Sequence, residues 1–269
     1  MTQFRRPAQD MTLAMRRLAA MHVVDWPGTA PPVVLMHGNK SIARAWDFMV
    51  DASQLSNRFL APDMRGHGLS AQPATGYAIQ ELVDDVLDLL DALQVKKAVF
   101  CGYATGGYVA LAIADQRPDL AAGIMVVDAG LKLSPELNNA PRQRVYKSLA
   151  EGRAALNRSD LWDDAVKDHY ARHSFRDLPG GGVEYRYLEQ SETPASRALF
   201  DVNRLKIQCP ALFLRGEHSD VTSEAAMREV VGLFSTARMA TVPGSHHHIP
   251  MDKPARLAAM VDDFVRGLA

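Results

Sequence analysis

The segment Gly102-Tyr103-Ala104-Thr105-Gly106-Gly107 constrains this chain most, because it links two apolar runs of different kinds. Ala98-Val99-Phe100-Cys101 reads as a short buried strand, and Gly107 to Ala114 as a buried helix. A chain that passes from strand to helix within so few residues has no room for side chains flanking the turn. Glycine at 102 and 106 meets that need and tolerates the backbone angles involved. Position 104 then stands at the apex, its side chain projecting above the sheet.

The other apolar runs fit the same plan. Met21 to Gly28 reads as an early strand ending in a turn. Val33-Val34-Leu35-Met36 reads as a buried strand before the loop His37-Gly38-Asn39-Lys40, and Phe59-Leu60-Ala61-Pro62 as another before the segment Asp63 to Ser70. Ile79, Leu82, Val83, Val86, Leu90 and Leu93 recur at helical spacing, with Glu81, Asp84, Asp85, Asp88 and Asp91 between them. That is an amphipathic helix packed on a sheet, its acidic face expected in solvent. Gly123 to Val127 is a further strand, ending at Asp128. Strands alternating with helices predict an α/β fold with a mostly parallel central sheet.

From residue 131 to 205 charges are dense and Gly180-Gly181-Gly182 interrupts the pattern, which predicts an inserted, mainly helical cap. The core would then comprise 1–130 and 206–269. Its sheet resumes at Ala211 to Leu214 and Met239 to Val242, and a closing helix follows Pro254, which suits a first helical turn.

A hydrophobic content of 47% in 269 residues suffices to fill such a core. Thirty basic and 31 acidic residues imply no general attraction to nucleic acid or to an anionic membrane, so a small-molecule substrate is expected. Cys101 and Cys209 read as free thiols. Asp10 interrupts the N-terminal arginines, no apolar signal-peptide core follows, and no run is long enough to span a membrane, so a cytoplasmic protein is expected. The glycines at 102, 106 and 107 lack the first-strand location and ribose-binding acid of a dinucleotide fingerprint, and no organic cofactor is expected.

In chain order the sequence presents His37-Gly38-Asn39, the Asp63 to Ser70 segment, the glycine-flanked turn at 104, an acid in Gly216-Glu217-His218-Ser219-Asp220, and His247 within Pro243 to Pro254. With these motifs the chain resembles the α/β-hydrolase superfamily over nearly its full length, most weakly in the cap. The resemblance makes residues 102–106 a nucleophile elbow, with the order nucleophile, acid, histidine. It makes His247, seven residues before Pro254, the general base, with His246 and His248 as flanking loop residues. Histidine suits the task because imidazole titrates near neutrality. Asp220 is the favoured orienting acid, with Asp128 as the alternative. The backbone N–H groups of Thr105 and Asn39 would form the oxyanion hole. A metal-binding tract at 246–248 is the rival reading; adjacent side chains diverge and no acidic ligand pattern accompanies them, so no metal site is expected.

The departure from the family pattern is Ala104, whose methyl group cannot attack a carbonyl. Two explanations stand. Alanine replaces a serine and the site lacks only its nucleophile, or alanine is native and His247 activates water or takes a substrate proton, as in members resembling the aminoacrylate hydrolases of pyrimidine degradation. Thr105 is a poor substitute nucleophile, since its backbone is committed to the oxyanion hole. The resemblance therefore implies a hydrolase of a small metabolite at an ester, lactone, amide or diketone carbon–carbon bond. A non-catalytic small-molecule receptor on the same scaffold is the alternative. Trp162, His169, Tyr170, His173, Tyr185 and Tyr187 are the cap residues available to line the pocket, with local packing or surface the favoured reading of each taken alone.

Overall fold

The apolar runs become the inner strands of one sheet in the computed structural model, which describes residues 3–131, 143–156, 159–188 and 200–268. In chain order the strands are β1 (Gln9–Leu13), β2 (Met21–Trp26), β3 (Thr29–Met36), β4 (Asn57–Pro62), β5 (Ala98–Tyr103), β6 (Ala121–Val127), β7 (Val145–Tyr146), β8 (Phe175–Asp177), β9 (Val183–Tyr185), β10 (Ala211–Gly216) and β11 (Ala237–Val242). Eight of them form the central sheet, ordered β1-β2-β4-β3-β5-β6-β10-β11. β2 runs antiparallel to both neighbours, and the strands from β4 to β11 pair in parallel.

The helices are α1 (Asp47–Ala52), α2 (Ile79–Ala92), α3 (Thr105–Gln116), α4 (Leu149–Ala155), α5 (Asp164–Ser174), α6 (Glu224–Val231), α7 (Ile249–Asp252) and α8 (Pro254–Arg266). α2, α3 and α6 cover one face of the sheet through residues such as Val86, Val109 and Met227. α1 and α8 cover the other through Met49, Val261 and Phe264. Strands covered on both faces bury nearly every side chain, which is why β5 and β6 read as unbroken apolar runs. No helix among the described residues is long and apolar enough to cross a membrane.

The acidic face of α2 departs from expectation. Asp85 and Asp88 are buried. Asp85 takes a two-pronged ion pair from Arg65, at 2.6 and 2.7 Å, and Asp88 accepts from Arg16 and Arg17, each at 2.6 Å. The cations come from distant segments, so helical periodicity alone could not separate a paired carboxylate from a solvated one.

The insert also contains strands. Beside α4 and α5 it contains an antiparallel sheet ordered β7-β9-β8, whose strands of two or three residues are too short for a pattern of period two to register. Within 131–205, residues 132–142, 157–158 and 189–199 lie outside the described residues. Trp162, Tyr170, Phe175, Tyr185 and Tyr187 cluster with Ile42, Ala45 and Met251 of the core. This seats the insert over the loop after β3 and over α7.

Candidate active site

Left-handed backbone is concentrated beyond the carboxyl ends of three adjacent parallel strands. Lys40 (φ 54°), Ala104 (φ 49°) and Asp128 (φ 47°) follow β3, β5 and β6, and among the described residues Gln94 is the one other non-glycine of this kind. Each such residue costs about 1–3 kcal/mol and persists only where its surroundings hold it.

Ala104 has φ 49° and ψ −113°, at the start of α3. Its N–H donates to Val127 O and its carbonyl accepts from Gly107 N–H, both at 2.9 Å. The glycines beside it have no substitutes: a Cβ at 102 would lie 2.0 Å from Gly106 O, and one at 106 would lie 2.2 Å from Met36 O. The predicted elbow is therefore formed, with a methyl group at its apex.

Asp128 follows directly after β6 and is fully buried. Its N–H donates to Leu214 O at 2.7 Å, and its Oδ1 accepts from Gly216 N–H at 3.3 Å. Its Oδ2 receives His247 Nδ1–H at 2.7 Å and Ser219 Oγ–H at 2.6 Å. Of the two acids considered, the structure places Asp128 against His247 and leaves Asp220 exposed. In the turn after β10 it is Ser219, one residue earlier, that faces inward, and its hydroxyl supports a carboxylate supplied by β6. With Nδ1 donating to Asp128, Nε2 is left as the imidazole's proton acceptor.

The three histidines diverge. The Tyr103 hydroxyl lies 2.8 Å from His248 Nδ1, and the Tyr103 ring centroid lies 5.1 Å from that of His247. The His246 ring lies 5.7 Å from that of His218. Asp252, buried on α7, fixes the loop that carries them. It accepts from His246 N–H at 2.9 Å, from Ser245 Oγ–H at 3.3 Å, and from Trp162 Nε1–H of the insert at 2.9 Å.

Asn39 and Thr105, the expected oxyanion donors, line one cavity together with His37, Arg65, His67 and Tyr77. Thr105 is the first residue of α3, where amides have no intrahelical acceptor and the helix dipole favours negative charge. The loop carrying Asn39 meets the elbow closely, since a Cβ on Gly38 would lie 2.8 Å from Ala104 Cβ. Two neutral imidazoles brace this loop. His37 Nε2 accepts from Met64 N–H at 2.9 Å, and His67 Nε2 accepts from Lys40 N–H at 3.1 Å. Burial, aided by the nearby His37, pushes His67 down to about 3, and burial likewise lowers His37.

Asp63 ties the Asp63 to Ser70 segment to its neighbours. Asp63 accepts from Ala43 N–H at 2.7 Å, Leu69 N–H at 2.9 Å and His22 Nδ1–H at 2.8 Å. Of the insert residues available to line a pocket, Trp162, Tyr170, Tyr185 and Tyr187 are buried. His169 Nε2–H donates to Asp47 at 2.7 Å, and the His173 ring lies 4.6 Å from that of His169.

The model of the alpha/beta hydrolase family matches residues 33–260, a span that includes the elbow, Asp128 and His247. The chain belongs to the alpha/beta hydrolase family. This hydrolase is 26% identical to a 2-(acetamidomethylene)succinate hydrolase of Mesorhizobium japonicum, over 88% of this chain and 89% of that protein. It is also 26% identical to a bifunctional esterase/perhydrolase of Acinetobacter calcoaceticus, over 90% and 94% of the two chains. A crystal structure of E-2-(acetamidomethylene)succinate hydrolase superposes on it with a TM-score of 0.83 at 22% identity, covering 97% of this chain and 100% of that one. That likeness establishes a shared fold.

Ser219, Asp252 and the Tyr103–His248 contact were not anticipated from sequence. A weak signal exists for Asp252, a carboxylate between His247 and Pro254; none exists for Ser219, whose role depends on which acid is used.

Proposed function

We propose that this hydrolase cleaves a small metabolite at a carbonyl-type carbon, with His247 as general base, Asp128 as its orienting acid, and water held over Ala104 as the attacking group. The observation carrying this reading is the 2.7 Å His247–Asp128 hydrogen bond to a fully buried carboxylate. It leaves an oriented proton acceptor beside an elbow that has no nucleophile. Deprotonated at Nε2, His247 takes a proton from water as the oxygen adds to the carbonyl carbon. The developing oxyanion is met by the Asn39 and Thr105 amides, and the imidazolium then protonates the leaving group. Asp128 holds the imidazole in the required tautomer and stabilises its charged form.

One observation favours a second reading. The elbow keeps the costly φ 49°, ψ −113° backbone at Ala104, a geometry suited to presenting a reactive side chain, as in a serine triad from which the nucleophile is missing. The test is hydrolysis of a panel of short-chain aryl esters, a lactone and N-acetyl compounds by the unaltered chain and by Ala104→Ser, each with and without His247→Ala. The acetamides belong in the panel because the Mesorhizobium relative is named for an acetamido compound. Turnover by the unaltered chain that His247→Ala abolishes supports water attack. Activity only in Ala104→Ser, still requiring His247, supports the second reading. Binding of panel compounds with no turnover by any variant would favour a receptor.

A further inference from the structure

We propose that Tyr170 and Tyr185 of the insert are positioning residues for the oxyanion loop: their hydroxyls hold the left-handed peptide at Lys40 and so fix the direction of the neighbouring Asn39 N–H. The inference rests on the proposed carbonyl hydrolysis, which is what gives the Asn39 amide a role.

Lys40 carries a Cβ and yet has φ 54°. Both peptide groups flanking its α-carbon are pinned. Its N–H donates to His67 Nε2 at 3.1 Å, and its carbonyl accepts from the Tyr170 hydroxyl at 3.1 Å and the Tyr185 hydroxyl at 2.9 Å. The two hydroxyl oxygens are 3.0 Å apart. Each hydroxyl has one proton, so Tyr170 donates to Lys40 O while Tyr185 divides its proton between that carbonyl and the Tyr170 oxygen.

The phenols come from α5 and from the end of β9, 130 and 145 residues beyond Lys40. Their rings are buried at 1% and 4% exposure, packed with Trp162, Phe175 and Tyr187, so the hydroxyls sit on rigid supports. On its other side Asn39 is limited by Gly38, which lies against Ala104 and Tyr103. Asn39 is thus clamped between an elbow contact and a turn held by the insert. Phenylalanine would fill the same space at 170 and 185 but would leave the Lys40 carbonyl without these donors. A fully formed oxyanion hole therefore requires the insert to be docked, which makes the insert part of the site's geometry as well as its cover.

The test uses Tyr170→Phe, Tyr185→Phe and the double variant, in the full chain and again combined with Ala104→Ser. Three readouts are taken: the thermal midpoint, hydrogen exchange at the Lys40 amide, and kcat and KM for p-nitrophenyl butyrate. We expect Lys40 exchange to rise about tenfold or more in the double variant. We expect kcat to fall about 10- to 100-fold, below the roughly 10²- to 10³-fold loss of deleting a donor, with KM changed less than about twofold. Single variants should show smaller effects of the same kind, and they carry the test if the double variant does not fold. Unchanged exchange in a folded double variant overturns the proposal, as does an unchanged kcat or a loss confined to KM. If neither the unaltered chain nor its Ala104→Ser version hydrolyses the ester, the hydrolysis reading fails at that step, and the exchange comparison still decides whether the tyrosines hold the loop.

Discussion

Asp128 Oδ2 receives the Nδ1 proton of His247 at 2.7 Å across 119 residues of chain. Ser219 donates to the same oxygen at 2.6 Å, and both strand ends involved, those of β6 and β10, are neighbours in the sheet. Asp128→Asn preserves shape but presents an amide that cannot be relied on to accept from both partners, so the imidazole loses its fixed tautomer. The expected loss in kcat is roughly 10³- to 10⁴-fold, without a comparable loss of stability. Asp220→Asn, at an exposed position, should leave kcat within about twofold. Steady-state kinetics of the two variants on one substrate decide between the acids.

Asp252 joins the insert to the histidine loop. Removing its carboxylate strands the Trp162 indole N–H and the His246 amide together. Asp252→Ala should therefore destabilise the chain by about 3 kcal/mol. That corresponds to a fall of roughly 6–12 °C in the thermal midpoint for a chain of this size. Trp162→Phe breaks only one of these bonds and should cost less. A double-mutant cycle between the two positions should show coupling of about 1 kcal/mol; strict additivity would mean that the Trp162–Asp252 hydrogen bond contributes nothing to stability.

The pH dependence of stability should carry the mark of His67. Its folded value is lowered to about 3 by burial, against about 6.5 in an unfolded chain. Between those values the unfolded state binds a proton that the folded state refuses. Stability therefore rises with pH across that window and is lost as pH falls, by at most about 1.4 kcal/mol per unit. His37 and His173, also lowered by burial, act in the same direction. His22 acts in the opposite one: burial lowers it, but Asp63 and Asp10 together raise it, so its contribution is present below about 6.5 and fades as pH rises through its folded value. Denaturant titrations of the parent and of His67→Gln, from pH 6.5 to 4, isolate His67. The parent's advantage should narrow as pH falls. A constant difference would show that the His67 imidazole is not held neutral.

The parts of this structure legible in the sequence are those set by local chemistry. Runs such as Val33 to Met36 announce strands buried on both faces, and glycines at 102 and 106 announce the tight turn, while His247 is singled out only by the family resemblance, which places it seven residues before Pro254. What stayed hidden depends on contacts between distant segments. Asp128 and Asp220 are both carboxylates just past strand ends. Only the packed turn after β10 reveals that Ser219 faces inward while Asp220 meets solvent. Asp85 looks like any charged helix residue until Arg65 arrives from the loop after β4. The Lys40 turn, held by phenols 130 and 145 residues away, leaves no local trace at all.

The most direct test of the central claim is rapid-mixing kinetics of the unaltered chain on the best substrate from the panel, followed by intact-mass analysis during turnover. Water attack directed by His247 and Asp128 predicts product formation that is linear from the first turnover, no acyl adduct on the protein, and loss of activity in His247→Ala. A stoichiometric burst with a covalent adduct, or activity that survives His247→Ala, would contradict it.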